Sequence, residues 1–213
     1  MDKISREKEL LSTIKEQPYL ISIDGVKLNI RNGVFPPDKA YTSKYLADIL
    51  KRYNVRSVLD MGCGSGYLAI VASLYGTKNV WAADIYIGAI ECTKENVLRN
   101  NCQNVKVVQS DLFENISKND FDLIVFNQPY YPTEEENSFG GGGEAGRKII
   151  IRFLKAAERY LNDNGKIIMP FSDISDEENN PGTIAKSMGY NVKIVFDKKD
   201  DYGKHVIYEI TSI

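Results

Sequence analysis

The stretch SVLDMGCGSGYLAIVASLYG, residues 57–76, decides the fold. Its first six residues form an almost unbroken strand-type apolar run, its last ten are spaced as a helix, and glycines separate the two. A strand that is apolar on both faces is buried on both, as in a parallel sheet covered by helices. The chain then repeats this unit. NVWAAD (79–84) leads to GAIECTKENVLRN (88–100), and VKVVQSD (105–111) is followed by DLIVFN (122–127). Next come a helix, GRKIIIRFLKAAERYL (146–161), a strand, GKIIMPF (165–171), and a helix, TIAKSMG (183–189). The last strands, YNVKIVF (190–196) and HVIYEITSI (205–213), are joined by DKKDDYGK, which allows an antiparallel turn but holds no crossover helix. The expected fold is α/β, a doubly wound, mostly parallel seven-stranded sheet with one antiparallel strand near the C-terminus.

Upstream, a helix is expected to about Lys15, with Leu10, Leu11 and Ile14 on one side and Pro18 as its stop. YLISIDGVKLNI (19–30) alternates around Asp24-Gly25, the dipeptide of a tight hairpin. AYTSKYLADILKRY (40–53) is again helical in spacing. This divides the chain into an extension, residues 1–33, and one main domain, residues 34–213. A length of 213 residues with 43% hydrophobic and 26% charged content fits one buried core. The net charge of −2 gives no general attraction to nucleic-acid backbones. Cys63, Cys92 and Cys102 are odd in number and lack the paired spacing of a zinc site, so no metal centre is expected and they read as reduced thiols of a cytoplasmic protein. No segment approaches the ~20 apolar residues that span a bilayer.

Ligands of such sheets bind beyond the carboxyl ends of the strands. Four strand ends here carry polar residues. Gly62, Gly64 and Gly66 permit a sharp turn and close backbone approach to a ligand, and Asp60 lies beneath them, able to order the amides of the following helix. Asp84, 20 residues after Gly64, ends the next strand, where a carboxylate can accept both hydroxyls of a ribose. Asp111 and Leu112 end the third, offering an acceptor for an exocyclic amine and an apolar wall. VFNQPYYPT (125–133) closes the fourth. Each feature alone also fits a structural turn or a helix cap. Together they describe an adenosine-bearing ligand.

These motifs resemble those of class I S-adenosylmethionine-dependent methyltransferases. VLDMGCGSGYLAI is similar to that family's glycine loop, AADIYIGAIECTKENVLRNN to its acidic second strand, SDLF to its adenine-contacting turn, and NQPYY to its Asn-Pro-Pro-Tyr motif. The preceding GVFPPDKAYTSKYLADIL makes the HemK-like branch the most similar, whose members methylate a glutamine amide of translation release factors. The resemblance implies S-adenosylmethionine as cofactor. It places Asp60, Gly62, Cys63, Gly64, Gly66, Asp84, Ile85, Asp111, Leu112 and Asn127 around that cofactor.

The fourth motif has a physical logic. An amide nitrogen is a poor nucleophile, so holding it in line with the donor is the main catalytic device, one that supplies up to ~7–11 kcal/mol in favourable cases. Asn127 can accept one N–H through its side chain and the Gln128 carbonyl the other. Pro129 fixes the turn, and Tyr130 offers a ring for a planar group. These four residues are the expected catalytic set. Gln128 stands where the family usually has proline, giving up a fixed φ for a side-chain amide, with consequences for substrate identity. The core nitrogen-binding geometry is expected to survive.

Behind the motif, TEEENSFGGGGEAGR (133–147) reads either as a surface loop or as a lid hinged at Gly140 to Gly143. Lys148, Arg152, Lys155 and Arg159 share one helix face, a solvated stripe or an attraction for an acidic partner or RNA. The expected activity is N-methylation of a planar nitrogen, first a glutamine amide of a release factor. The other readings are an exocyclic base amine of RNA or DNA, a small molecule, and a non-catalytic S-adenosylmethionine-binding module. The short HemK-like enzymes often work with a small zinc-binding activator paired to a sheet edge, so that partner is also implied.

Overall fold

The computed structural model describes residues 17–39, 41–129, 144–173, 175, 177–200 and 203–212. The expected helix before Lys15, Tyr130, and the segment 133–143 with its four glycines lie outside them. The chain opens with a hairpin, β1 (Tyr19–Ile23) and β2 (Val26–Ile30), turning at Asp24-Gly25 as its sequence dictates. Helix α1 (Tyr41–Leu50) then leads into β3 (Ser57–Met61), α2 (Tyr67–Leu74), β4 (Asn79–Asp84), α3 (Ile87–Arg99), β5 (Val105–Gln109) and β6 (Phe121–Phe126). After α4 (Glu144–Ala157) come β7 (Leu161–Ser172), α5 (Pro181–Ser187), β8 (Asn191–Asp200) and β9 (Gly203–Thr211).

The main sheet has seven strands in the order β5-β4-β3-β6-β7-β9-β8. Strands β3 to β7 pair in parallel, and β9 runs antiparallel between β7 and β8. Succession runs outward from β3 through β4 to β5, then returns to start β6 on the other side of β3. The strand order therefore reverses between β3 and β6, where loops leave in opposite directions and open a crevice.

The sheet is covered on both faces. Every residue of β3 is buried, which explains why its sequence does not alternate. One core lies under α1, α2, α3 and the hairpin, around Leu46, Ile70 and Ile90. The other lies under α4 and α5, around Phe121, Phe153 and Ile124. Complete burial of a side chain such as Phe153 contributes roughly 1.5–3 kcal/mol. Helix α5 starts where its sequence says it should: Asn180 Oδ1 accepts from the amides of Gly182 and Thr183, and Pro181 occupies the first helical position, where no N–H is needed.

The junction of α4 and β7 differs from the sequence expectation. Helix α4 stops at Ala157, followed by a 3-10 turn, Glu158–Tyr160, and β7 begins at Leu161, four residues before Gly165. The β6/β7 register shifts between Phe121 and Leu123, and Gly165 sits so tightly that a Cβ there would lie 2.9 Å from the Phe121 carbonyl oxygen. Periodicity cannot register such an irregularity. Strand β8 also runs past Phe196 to Asp200, paired with β9 on both sides of a register shift between Ile194 and Phe196. No helix among the described residues is long and apolar enough to cross a membrane.

Candidate active site

The glycine turn leaves β3 at the crevice. Gly66 precedes α2 with φ +79, and a Cβ there would lie 2.9 Å from Thr93 Cγ2 on α3, so both conformation and space require glycine. The turn is tied to its surroundings. Cys63 N donates to the Ala83 carbonyl at 2.9 Å, and Thr93 Oγ1 donates to the Gly64 carbonyl at 2.9 Å. Cys63 is buried, with Sγ 3.3 Å from Thr93 Oγ1, and desolvation pushes its thiol well up. It serves as a neutral packing group.

Two carboxylates lie under and beside the turn. Asp60 Oδ2 accepts from Ala69 N at 3.0 Å, capping the first turn of α2 from below. Burial, with a smaller contribution from Asp84, pushes Asp60 up to about 8. Asp84, at the end of β4, accepts from Gly64 N through Oδ2 at 2.9 Å and from Tyr86 N through Oδ1 at 3.0 Å. Burial also raises Asp84, while these amide donors act against the shift. Each of its oxygens keeps a further lone pair for a ligand hydroxyl. Ile85, next to it, is about half exposed, at 51%.

The third strand end is joined to the second through Ser110 N, which donates to the Asp84 carbonyl at 2.8 Å. Asp111 accepts from Arg152 Nη2 of α4 at 2.9 Å, an ion pair that the helix-face reading of Arg152 did not anticipate. Leu112 is buried in a left-handed conformation, φ 48, uncommon for a branched residue. Ser110 holds it there by donating to the Leu112 carbonyl at 2.7 Å while accepting from Asn115 N.

At the fourth strand end, Asn127 Nδ2 donates to Ser43 Oγ of α1 at 3.5 Å. Its Oδ1 is buried and has no hydrogen-bond partner among the described residues. Gln128 is 1% exposed and points inward, donating from Nε2 to the Pro170 carbonyl of β7 at 2.6 Å. Pro129 follows, half-buried, at the end of the described stretch. The preceding residue, Phe126, packs its ring against Gly62, so the fourth motif and the glycine turn touch.

The four strand ends are thus linked by direct contacts along one rim. Sequence reasoning did not single out Ser43, Thr93 or Asn96. Ser43 sits within an ordinary amphipathic helix pattern, and Thr93 and Asn96 are polar residues on the buried side of α3, detectable only as breaks in that helix's apolar face.

The sequence profile of the methyltransferase small domain matches residues 25–180. The chain belongs to that family. A Methanocaldococcus jannaschii protein, named provisionally as a protein N5-glutamine methyltransferase, is 33% identical over 184 residues, spanning 82% of this chain and 90% of its own. A methyltransferase from Pyrococcus furiosus superposes with TM-score 0.68 at 21% identity, over 99% of this chain and 98% of its own. The E. cuniculi Mtq2-Trm112 complex, described as responsible for methylation of the eRF1 translation termination factor, matches with TM-score 0.60 at 25% identity, over 82% of this chain and 96% of its own. The methyltransferase small domain family uses S-adenosylmethionine as donor, and this rim fits it. A backbone turn with glycine at 62, 64 and 66, an acid beneath it and another beside it, and an orphaned buried acceptor at the crevice suit a cationic donor with a ribose at one end and a reactive carbon at the other.

Proposed function

We propose that this methyltransferase modifies the side-chain amide of a glutamine in a protein substrate, a translation release factor being the first choice. The observation that carries the reading is Asn127 Oδ1, a buried acceptor without a partner among the described residues, placed at the strand-order reversal beside the glycine turn. An unpaired buried acceptor costs about 1–3 kcal/mol, which an incoming N–H would offset. The similarity to the M. jannaschii protein over most of both chains supports the same substrate class.

When bound, S-adenosylmethionine supplies an electrophilic methyl group on a positively charged sulfur. Asp84 holds the ribose hydroxyls while keeping the Gly64 amide in place, Leu112 walls the adenine, and Asp60, protonated by its burial, braces α2 from below the turn. Asn127 Oδ1 accepts one N–H of the substrate amide and the Gln128 carbonyl accepts the other. These acceptors orient the nitrogen and favour the positive charge that develops on it. No general base is needed, because the N-methylated amide cation is strongly acidic and loses one proton to water once the methyl group has been transferred.

Strand β5 is one edge of the sheet, with Val105, Val107 and Val108 half-buried. We assign this edge to a small activator subunit, in line with the Mtq2-Trm112 pairing, and the cytoplasm as the site of action, where release factors work. The test is transfer of labelled methyl from S-adenosylmethionine into a cell extract, followed by protease or nuclease treatment. Protease-sensitive label is expected. Label that nuclease removes, or label confined to a small compound, contradicts the reading.

A further inference from the structure

The donor turn is connected to the N-terminal hairpin through one side chain. The Asp24-Gly25 turn makes Ile23 and Val26 a bonded pair, so the backbone groups of Lys27 and Asn29 face away from β1. Asn96 of α3 and Asn100, which follows the last residue of that helix, meet them. Asn100 Oδ1 accepts from Lys27 N at 3.0 Å and its Nδ2 donates to the Lys27 carbonyl at 2.7 Å. Asn96 Oδ1 accepts from Asn29 N at 2.8 Å and its Nδ2 donates to the Asn29 carbonyl at 3.1 Å. The spacing explains the match: residues four apart on a helix rise about 6 Å, and alternate residues of a strand about 6.7 Å. The two side chains act as a further strand for β2.

Asn96 does one thing more. Its second amide hydrogen goes to the Ser65 carbonyl, in the middle of the glycine turn, at 2.9 Å. The residue is 0% exposed, and its one carboxamide serves the hairpin and the turn together. Beside it, Thr93 holds the adjacent Gly64 carbonyl, so α3 fixes two successive carbonyls of the turn, and their peptide planes set the direction of the intervening amides. Asn100 holds the hairpin without any such bond to the turn.

We propose that Asn96 is a positioning residue for the donor-binding turn, and that through it the hairpin β1–β2 and donor binding are thermodynamically linked. Whatever the hairpin contributes to donor affinity, the donor returns as stability of the hairpin, because coupling is reciprocal. The inference rests on the reading that the turn 62–66 holds the donor.

The test uses the full chain and S-adenosylhomocysteine, titrated by calorimetry against wild type, Asn96→Ala, Asn100→Ala and Asp84→Ala, with amide hydrogen exchange at Lys27 and Asn29. Asn96→Ala is expected to weaken binding about tenfold or more and Asn100→Ala less than about twofold, although both release a peptide of β2. In wild type the ligand should slow exchange at the Asn29 amide, and in Asn96→Ala that slowing should vanish. Equal affinities of the Asn96 and Asn100 variants, or no ligand-dependent protection at Asn29 in wild type, overturn the inference. If Asn96→Ala does not fold, the wild-type exchange measurement decides alone. Failure of the underlying reading looks different: wild type and Asp84→Ala would then bind equally, or neither would bind.

Discussion

Gln128 Nε2 donates to the carbonyl of Pro170 at 2.6 Å, with both residues buried at the rim of adjacent strands. The side chain that replaces a proline in the Asn-Gln-Pro-Tyr motif thus reaches across from the end of β6 to the backbone of β7. Removing the amide leaves the Pro170 carbonyl without this donor, a loss of about 1–3 kcal/mol. Gln128→Met, of similar volume, should therefore lower the thermal midpoint. Gln128→Pro should leave donor affinity within about twofold, since no donor-holding residue bonds to this side chain. Calorimetry on the two variants checks both statements, and a large loss of donor binding in Gln128→Pro counts against the assignment.

Asn127→Ala removes the orphaned acceptor while leaving the glycine turn and Asp84 intact. Transfer should fall by roughly 10²–10³, the loss typical of deleting one preorganised group aimed at developing charge. Donor affinity should largely survive. Single-turnover kinetics beside equilibrium binding separate the two effects, and equal rates in variant and wild type remove the proposed role.

Asp84→Ala acts on binding instead. The carboxylate orders Gly64 N and is proposed to hold the ribose, and charge-assisted hydrogen bonds contribute ~1.5–3 kcal/mol. Donor affinity should drop by about one to two orders of magnitude. An unchanged dissociation constant contradicts the assignment.

Asp60 predicts a pH dependence. Burial holds its folded-state proton up to about 8, whereas an unfolded chain releases it near 3.8. Between these values the native state binds the extra proton, so this group's contribution is complete below about pH 4 and is lost as pH rises through about 8. Asp60→Asn keeps an oxygen for Ala69 N and does not ionise. Its thermal midpoint should gain on that of wild type as pH rises from about 5 to about 8 and hold that lead above it, and parallel profiles contradict the account.

Much of this was legible in the sequence because burial leaves a strong local signature. Continuous apolar runs marked β3, β4 and β6 as central strands, Asp24-Gly25 fixed the hairpin, and the four polar strand ends fell on one rim because parallel strands all end there. What was missed is non-local. The Phe121/Leu123 register shift depends on the partner strand, and the inward turn of Gln128 depends on a carbonyl 42 residues away. Ser43 and Asn96 meet their partners only after the elements pack, and the Arg152–Asp111 pair joins a helix to a loop that no spacing rule connects.

The central claim is that the Asn127 slot presents a protein amide nitrogen to the methyl donor. The most direct measurement is mass spectrometry of a purified release factor incubated with S-adenosylmethionine and either wild type or Asn127→Ala. The account predicts a gain of one CH₂ on a single glutamine side chain with wild type and none with the variant. Methylation of a different residue type, or the same product from both proteins, would contradict it.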